Sequence, residues 1–164
     1  MPTTEFGLGT HYKIDCIRKG DIAWTENIDN MVVNEGLGYA MRCIFGDHEY
    51  ETLCMGLCLQ ASSQPTDTMA SHLFSEYTGT TNMYRPEANF VDSGITEDNK
   101  YIYVATDVQA MIVVSSVLNG VFLSTGNVKG DDTGILYGVA GFNLPREVVS
   151  GDALLVTITV SAKG

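Results

Sequence analysis

The residues ALLVTITV, at positions 153–160, alternate large apolar side chains with threonine. Val156, Ile158 and Val160 fall on one face of an extended chain, and Thr157 and Thr159 fall on the other. This period of two is typical of a β-strand with one buried and one solvated face. Similar apolar runs precede it, separated by turn-forming residues. The runs are MIVVSSVL (111–118), VFLST (121–125) and GILYGVAGF (134–142), and the turn clusters are Asn119-Gly120, Gly126-Asn127, Gly130-Asp131-Asp132 and Ser150-Gly151-Asp152.

Short strands at this spacing predict an all-β fold, a β-sandwich of the jelly-roll type. The length of 164 residues suits a single core. We predict an extended N-terminal arm or hairpin over residues 1–28, because the turn residues Arg18-Lys19-Gly20-Asp21 lie between two short apolar runs. Residues 29–164 are predicted to form one β-sandwich domain. Trp24 is either a core residue or an anchor on a neighbouring subunit.

One α-helix is predicted in the N-terminal half, at about residues 30–45. Asp29 or Asn30 can cap its first turn, and Gly46 lies where the helix should end. We expect its apolar stripe to pack across a sheet. The stripe consists of Val33, Leu37, Ala40 or Met41, and Ile44, which recur at helical spacing.

The middle of the chain has a less regular pattern. Residues 52–60 predict a strand that is apolar on both faces, and strands resume with YIYVATD at positions 101–107. Between them, residues of about 61–94 are polar and predict a long loop, with at most one short helical turn near positions 69–74. Long loops in compact domains tend to carry function or partner contacts.

Composition and charge argue against nucleic acid and membrane as binding partners. The formal net charge is −11 with only nine Lys and Arg residues, which argues against a nucleic-acid-binding face. No apolar run is long enough to predict a membrane span. The first ten residues, MPTTEFGLGT, have neither the basic nor the apolar region of a signal peptide, so we expect synthesis in the cytoplasm. The four cysteines are then expected to be buried thiols.

The sequence contains few residues that suggest a catalytic or metal-binding site. Cys54 and Cys58 would face the same side of a strand and are interpreted as small core residues rather than metal ligands. Asp47-His48-Glu49 predicts a solvated turn, and the Asp131-Asp132 pair predicts a hairpin turn. Nucleophile and phosphate-loop motifs are missing. We therefore predict no enzyme activity, no cofactor and no metal site.

Several short segments occur in a fixed order over roughly residues 22–161. The segments are NMVVNEGL (30–37), MGL (55–57), DTMASH (67–72), SE (75–76), RP (85–86), GVFLS (120–124), GILY (134–137), AGF (140–142), VVSGD (148–152) and LVTIT (155–159). In this order they resemble a family of small tailed-bacteriophage virion proteins. Two departures are visible: Phe74 stands where the family tends to have tryptophan, and the segment before Asp21 is particular to this chain.

The resemblance implies a phage structural protein, and the small size and β-rich make-up favour a capsid cement or decoration protein. Such a protein bridges major capsid subunits on the surface of the virion and stabilises the head. A homodimer or homotrimer would suit bridging at symmetry axes. A neck, collar or tail component is the alternative within the same class.

Two irregular segments are the candidate partner-binding surfaces, because they combine aromatic residues with arginine. A second alternative is a carbohydrate-binding surface module, in which Tyr101 and Tyr103 would stack on sugar rings. The predicted capsid contacts are Phe6, Tyr12 and Trp24 in the N-terminal segment, and Tyr77, Tyr84 and Arg85 in the long loop.

Overall fold

A computed structural model describes residues 7–61, 64–71 and 75–164. This part of the chain is mostly β-structure, with two antiparallel sheets and one α-helix, which confirms the predicted all-β class. The elements are β1 (Gly7–Arg18), β2 (Asp21–Val32), α1 (Asn34–Phe45), β3 (Cys54–Cys58), β4 (Glu76–Tyr77), β5 (Val91–Ile95), β6 (Tyr101–Met111), β7 (Ser116–Ser124), β8 (Leu136–Val148) and β9 (Ala153–Lys163).

The two sheets share one strand and form a sandwich-like structure. The continuous strand order is β4-β3-β7-β8-β2-β1-β9-β6-β5. Most of β2 pairs with β1, but its last residues, Met31 and Val32, pair with Val139 and Gly138 of β8. Strand β2 therefore passes from one sheet to the other and joins them covalently.

The N-terminal segment is a hairpin that belongs to the sheet. Lys19 and Gly20 have φ angles of 52° and 84°, as the central residues of a type I′ two-residue turn require. Strand β1 lies between β2 and β9, with partners from Gly7–Lys163 to Ile17–Ala153. The hairpin pairing extends to Thr10 and Asn30, and strand β2 continues to Val32, past the boundary predicted at residue 28; residues 1–6 lie outside the described part.

The core lies between the sheets and follows the period of two. Leu154, Val156 and Ile158 are fully buried, while Thr157 and Thr159 on the opposite face are half-buried, as the alternation predicts. All five residues of β3 are buried, which confirms the prediction of a strand that is apolar on both faces.

Asn119 and Gly120 do not form the predicted turn. Both lie within β7, where the register shifts so that residues 142–145 of β8 lie opposite Asn119. The Asn119 amide donates a hydrogen bond to the Leu59 carbonyl at 2.7 Å. A Cβ atom on Gly120 would lie 2.4 Å from the Ala140 carbonyl oxygen, so glycine here permits close strand approach rather than a reversal of the chain.

Helix α1 begins four residues later than predicted. Asp29 and Asn30 lie in β2, and the capping position is Val33, which makes no side-chain capping bond. The end is as predicted, since the Gly46 amide donates to the Arg42 carbonyl at 3.0 Å.

The predicted long loop contains short ordered elements. A 3₁₀ turn covers Met69–Ser71, close to the predicted helical turn, of which residues 72–74 lie outside the described part. Strands β4 and β5 also fall at or near this loop, and isolated bridges join Thr80 to Ile112 and Tyr84 to Val128. The loop therefore follows the sandwich closely.

Asp152 holds the turn between β8 and β9 to the β1–β2 hairpin. Its buried carboxylate accepts bonds from the Arg18 guanidinium at 3.0 and 2.8 Å and from the Val149 amide at 2.9 Å. The Arg18 contact lowers the pKa of Asp152. Burial and this neighbouring carboxylate raise the pKa of Cys16 to about 12, so the thiol stays protonated.

Asp152→Asn is expected to lower the free energy of unfolding at pH 7 by about 1–3 kcal/mol, because hydrogen bonds to a charged group are lost. A depressed folded-state pKa stabilises the fold above the unfolded-state value of about 3.9. That stabilisation disappears as pH falls through the folded-state pKa. Urea unfolding at pH 7 and pH 3 should therefore show the difference between variant and wild type shrinking in acid. The exposed Asp21, changed to Asn, is the control, and a difference that does not depend on pH would contradict the assignment.

Candidate partner-binding surface

Helix α1 presents an apolar face to solvent. Leu37, Met41, Ile44 and Phe45 are 40, 49, 57 and 78% exposed. Their spacing places them on one side of the helix. We call these four residues the apolar ridge. Contiguous exposed apolar side chains on a folded protein mark interaction sites.

The opposite face of α1 packs on the sheet, which corrects the predicted stripe at Leu37, Met41 and Ile44, whereas Val33 of that stripe is fully buried. Gly36 and Tyr39 are buried there. A Cβ atom on Gly36 would lie 2.2 Å from the Tyr137 carbonyl oxygen, so the missing side chain lets the helix backbone reach β8. The Tyr39 hydroxyl accepts a bond from the Glu51 amide at 2.6 Å and lies 3.2 Å from the Glu51 carbonyl. These contacts fix the rotation of the helix and leave the apolar ridge outside.

Of the contact residues predicted in the N-terminal segment, the two that the structure describes, Tyr12 and Trp24, are not on an open surface. Phe6 lies outside the described residues. Tyr12 is fully buried, which corrects its assignment to an exposed contact surface, and burial raises its pKa well above the usual value. Trp24 is half-buried and packs on its own chain: its ring centroid lies 6.0 Å from that of Phe142, and its indole N–H donates to the Glu147 carbonyl at 3.0 Å.

Two of the three residues predicted in the long loop are also buried. Tyr77 is 6% exposed, and its hydroxyl contacts the carbonyls of Gly79 and Val114. Arg85 is 2% exposed. Both positions are therefore corrected from contact surface to interior. Tyr84 is 53% exposed and remains available to a partner.

Arg85 forms a buried cluster that joins the long loop to the β7–β8 connection. Its guanidinium makes two bonds of 2.8 Å to the Glu76 carboxylate. It also donates to the Gly126 carbonyl at 2.7 Å and to the Asp131 carbonyl at 2.8 Å. The Phe122 ring lies 5.1 Å below it. We call this group the Arg85 cluster, and its contacts give Arg85 a structural role.

The aromatic pair considered for sugar binding lies at the exposed end of β6. The Tyr101 and Tyr103 rings are 6.0 Å apart and tilted by 37°. The Tyr101 hydroxyl bonds to both Asp92 oxygens, at 2.8 and 2.6 Å, and this contact lowers the pKa of Asp92. The polar end of Tyr101 is thus engaged within the chain.

The polar residues considered for chemistry are dispersed. His48 lies 3.8 Å from Glu51, and Asp131 accepts a bond from the Thr133 amide. Cys54 and Cys58 are buried free thiols. Within residues 7–61, 64–71 and 75–164, no group of three or more His, Cys, Asp or Glu is placed to hold a metal ion. Over the same ranges, no helix has the length and apolar character needed to cross a membrane.

Comparison with protein-family models, with curated proteins and with solved structures finds no match to this chain. The likeness to tailed-phage virion proteins therefore depends on the short segments quoted from the sequence. The structure adds the two-sheet fold and the apolar ridge, of which Leu37, Met41 and Ile44 had been predicted to pack on a sheet.

Proposed function

We propose that this chain is a non-enzymatic structural protein of a tailed-phage virion, a cement or decoration protein that binds major capsid subunits from outside. It would be made in the host cytoplasm and would stabilise the head by bridging neighbouring subunits. The observation that supports this proposal best is the apolar ridge, because a large apolar face on a helix suits a protein partner.

The energetics favour repeated protein contacts. Fully burying one side chain of this size contributes about 1.5–3 kcal/mol. Four partly exposed side chains on one helix therefore offer several kcal/mol to a partner that covers them. The net charge of −11 makes copies repel one another, so apolar anchors suit a crowded array on a shell. Repetition over the shell, by dimers or trimers at symmetry axes, multiplies a modest affinity.

A neck, collar or tail component is the first alternative, and it would use the same apolar ridge at a single vertex. A carbohydrate-binding surface module is the second, and it is supported by the exposed rings of Tyr101 and Tyr103. A glycan array distinguishes the second alternative, since a cement protein without sugar affinity gives no saccharide signal.

A cryo-electron-microscopy reconstruction of the particle that contains this chain tests the location. Density of this fold repeated over the icosahedral shell supports the cement protein. Density confined to one vertex assigns the chain to the neck or tail. Absence of the chain from purified particles by mass spectrometry overturns the virion assignment altogether.

Met41→Asp is expected to weaken binding to capsids that lack the protein by at least about tenfold, or about 1.4 kcal/mol. The reason is that a carboxylate in the middle of the apolar ridge loses its hydration when a partner covers it. Co-sedimentation at increasing protein concentration measures the effect. Ile22→Asp is the matched control, because Ile22 is 60% exposed at the hairpin turn, away from α1. Equal binding by a folded Met41→Asp variant and the control would reject the ridge as the contact surface.

A further inference from the structure

A cavity of about 460 Å³ lies between α1 and residues of strands β6, β8 and β9. It reaches the surface, since Ile44, Tyr50 and Tyr103 in its lining are 57, 57 and 41% exposed. Its volume falls within the range of about 300–1,000 Å³ that is usual for small-molecule sites. It is roughly three times the size of the apolar cavity of about 150 Å³ that accommodates benzene. A molecule of two or three rings therefore fits.

The walls of the cavity are mainly aromatic and aliphatic. The rings come from α1, β6, β8 and the connections before β3 and β5, and they belong to Tyr39, Tyr103, Tyr137, Tyr50 and Phe90. The Tyr39 hydroxyl is held by the Glu51 backbone, and the Tyr103 hydroxyl lies 3.4 Å from Asp92, so these residues contribute ring surface to the wall. Aromatic rings pair with other rings in offset or edge-to-face geometry, which stabilises a bound ring beyond the burial of its area.

The cavity is also uncharged. Among the described residues that line it, none is Asp, Glu, Lys or Arg, and the polar side chains are those of Thr52, Asn89 and Cys43 besides the tyrosines. Tyrosine phenols, with an ordinary pKa of about 10, are uncharged at neutral pH, and burial raises the pKa of Tyr137 further. A charged ligand would lose its hydration without gaining a counter-ion.

We propose that this cavity binds a small, neutral, largely aromatic molecule of two or three rings. The aromatic walls stack on its rings, and Thr52 or Asn89 accommodates a single polar substituent. This site is a different surface from the apolar ridge, although Ile44 contributes to both, and it does not depend on the proposed virion role.

The probe for the test is N-phenyl-1-naphthylamine, a neutral aromatic amine that fluoresces in apolar surroundings. Wild-type protein is expected to bind one molecule saturably, with a dissociation constant on the order of micromolar. The anionic 1-anilinonaphthalene-8-sulfonate has the same ring system and is expected to bind at least about tenfold more weakly, because the site offers no counter-charge. Equal binding of both probes, or no saturable binding of the neutral probe, overturns the proposal.

Two variants fill the cavity from different elements of the fold. Ala40→Phe acts from α1 and Val160→Phe from β9, and each is expected to weaken binding of the neutral probe at least tenfold. Met41→Phe is the control, since Met41 is on the same helix but is 49% exposed on the apolar ridge. The affinity of this variant for the neutral probe should equal that of the wild type. A loss of binding in Met41→Asp but not in the filled variants would assign the probe to the ridge and overturn the proposal. Circular dichroism and thermal unfolding confirm that each variant is folded.

Nuclear magnetic resonance of the wild-type protein can locate the bound probe without any variant. Nuclear Overhauser contacts between the neutral probe and the ring protons of Phe90 and Tyr103 would place it in the cavity. Contacts to Leu37 and Phe45 instead would place it on the apolar ridge and overturn the proposal.

Discussion

Arg85→Met is expected to lower the free energy of unfolding by about 3–5 kcal/mol, because it leaves the Glu76 carboxylate buried without its partner. In the wild type that carboxylate accepts two bonds of 2.8 Å from the guanidinium, and the side chains are only 1% and 7% exposed. The substitution also removes the donors to the Gly126 and Asp131 carbonyls. Urea unfolding at neutral pH measures the loss.

Lys100→Met is the control for removing a positive charge. Lys100 pairs with Asp98 at 3.9 Å, with both side chains exposed, so the expected loss is below about 1 kcal/mol. Combining Arg85→Met with Glu76→Gln should recover part of the lost stability, since the unpaired charge is gone. Equal losses in Arg85→Met and Lys100→Met would show that the Arg85 cluster does not stabilise the fold.

Gly36→Ala is expected to destabilise the protein by about 2–3 kcal/mol, although alanine is the better helix former by about 1 kcal/mol. The added Cβ would lie 2.2 Å from the Tyr137 carbonyl oxygen and 2.8 Å from the Tyr137 Cα atom, both part of the backbone of β8. Neither atom can move without displacing the strand. Thermal and urea unfolding measure the change.

Gly38→Ala is the matched control within the same helix, and its effect should have the opposite sign. A Cβ atom there would meet only the end of the flexible Arg42 side chain, at 3.2 Å. Helix propensity then raises stability by about 0.5–1 kcal/mol. If both alanines stabilise the protein, α1 does not pack on β8 through Gly36.

The strands were the most predictable part of the fold. In β9 the alternation of Leu154, Val156 and Ile158 with threonine determines which face is buried, since a strand has only two faces. The Lys19-Gly20 turn was predictable because a two-residue hairpin needs positive φ angles, which glycine adopts readily. The Asn119-Gly120 pair predicts a turn equally strongly, but Gly120 instead allows β7 and β8 to approach each other closely.

The helix face could not be predicted, because hydrophobic periodicity gives weight to large side chains. Leu37, Met41 and Ile44 outweigh Gly36, which has no side chain to count. The close approach of Gly36 to β8 is a tertiary property of two segments separated by a hundred residues. The signal available in the sequence was the alternative set Gly36, Tyr39 and Cys43, at spacings of three and four.

The candidate contact residues failed for a related reason. Arginine and tyrosine in an irregular segment suggest a binding surface, but Arg85 finds its carboxylate partner at Glu76, nine residues away within the same loop. Between Glu76 and Arg85 the loop is bridged to the sandwich, and these two side chains pair with each other. Only Tyr84, of the described contact residues in this loop, keeps an exposed ring.

The pairing of β1 with β9 has a consequence for how the chain reaches its fold. Residues 7–17 are made well before residues 153–163, which are their partners on one side. The sheet cannot be completed until β9 has been made, so the hairpin of β1 and β2 must wait with one edge unpaired. Contacts so distant in sequence slow folding. The exposed edge of β1 is then the place where a nascent chain is most open to aggregation and to chaperones.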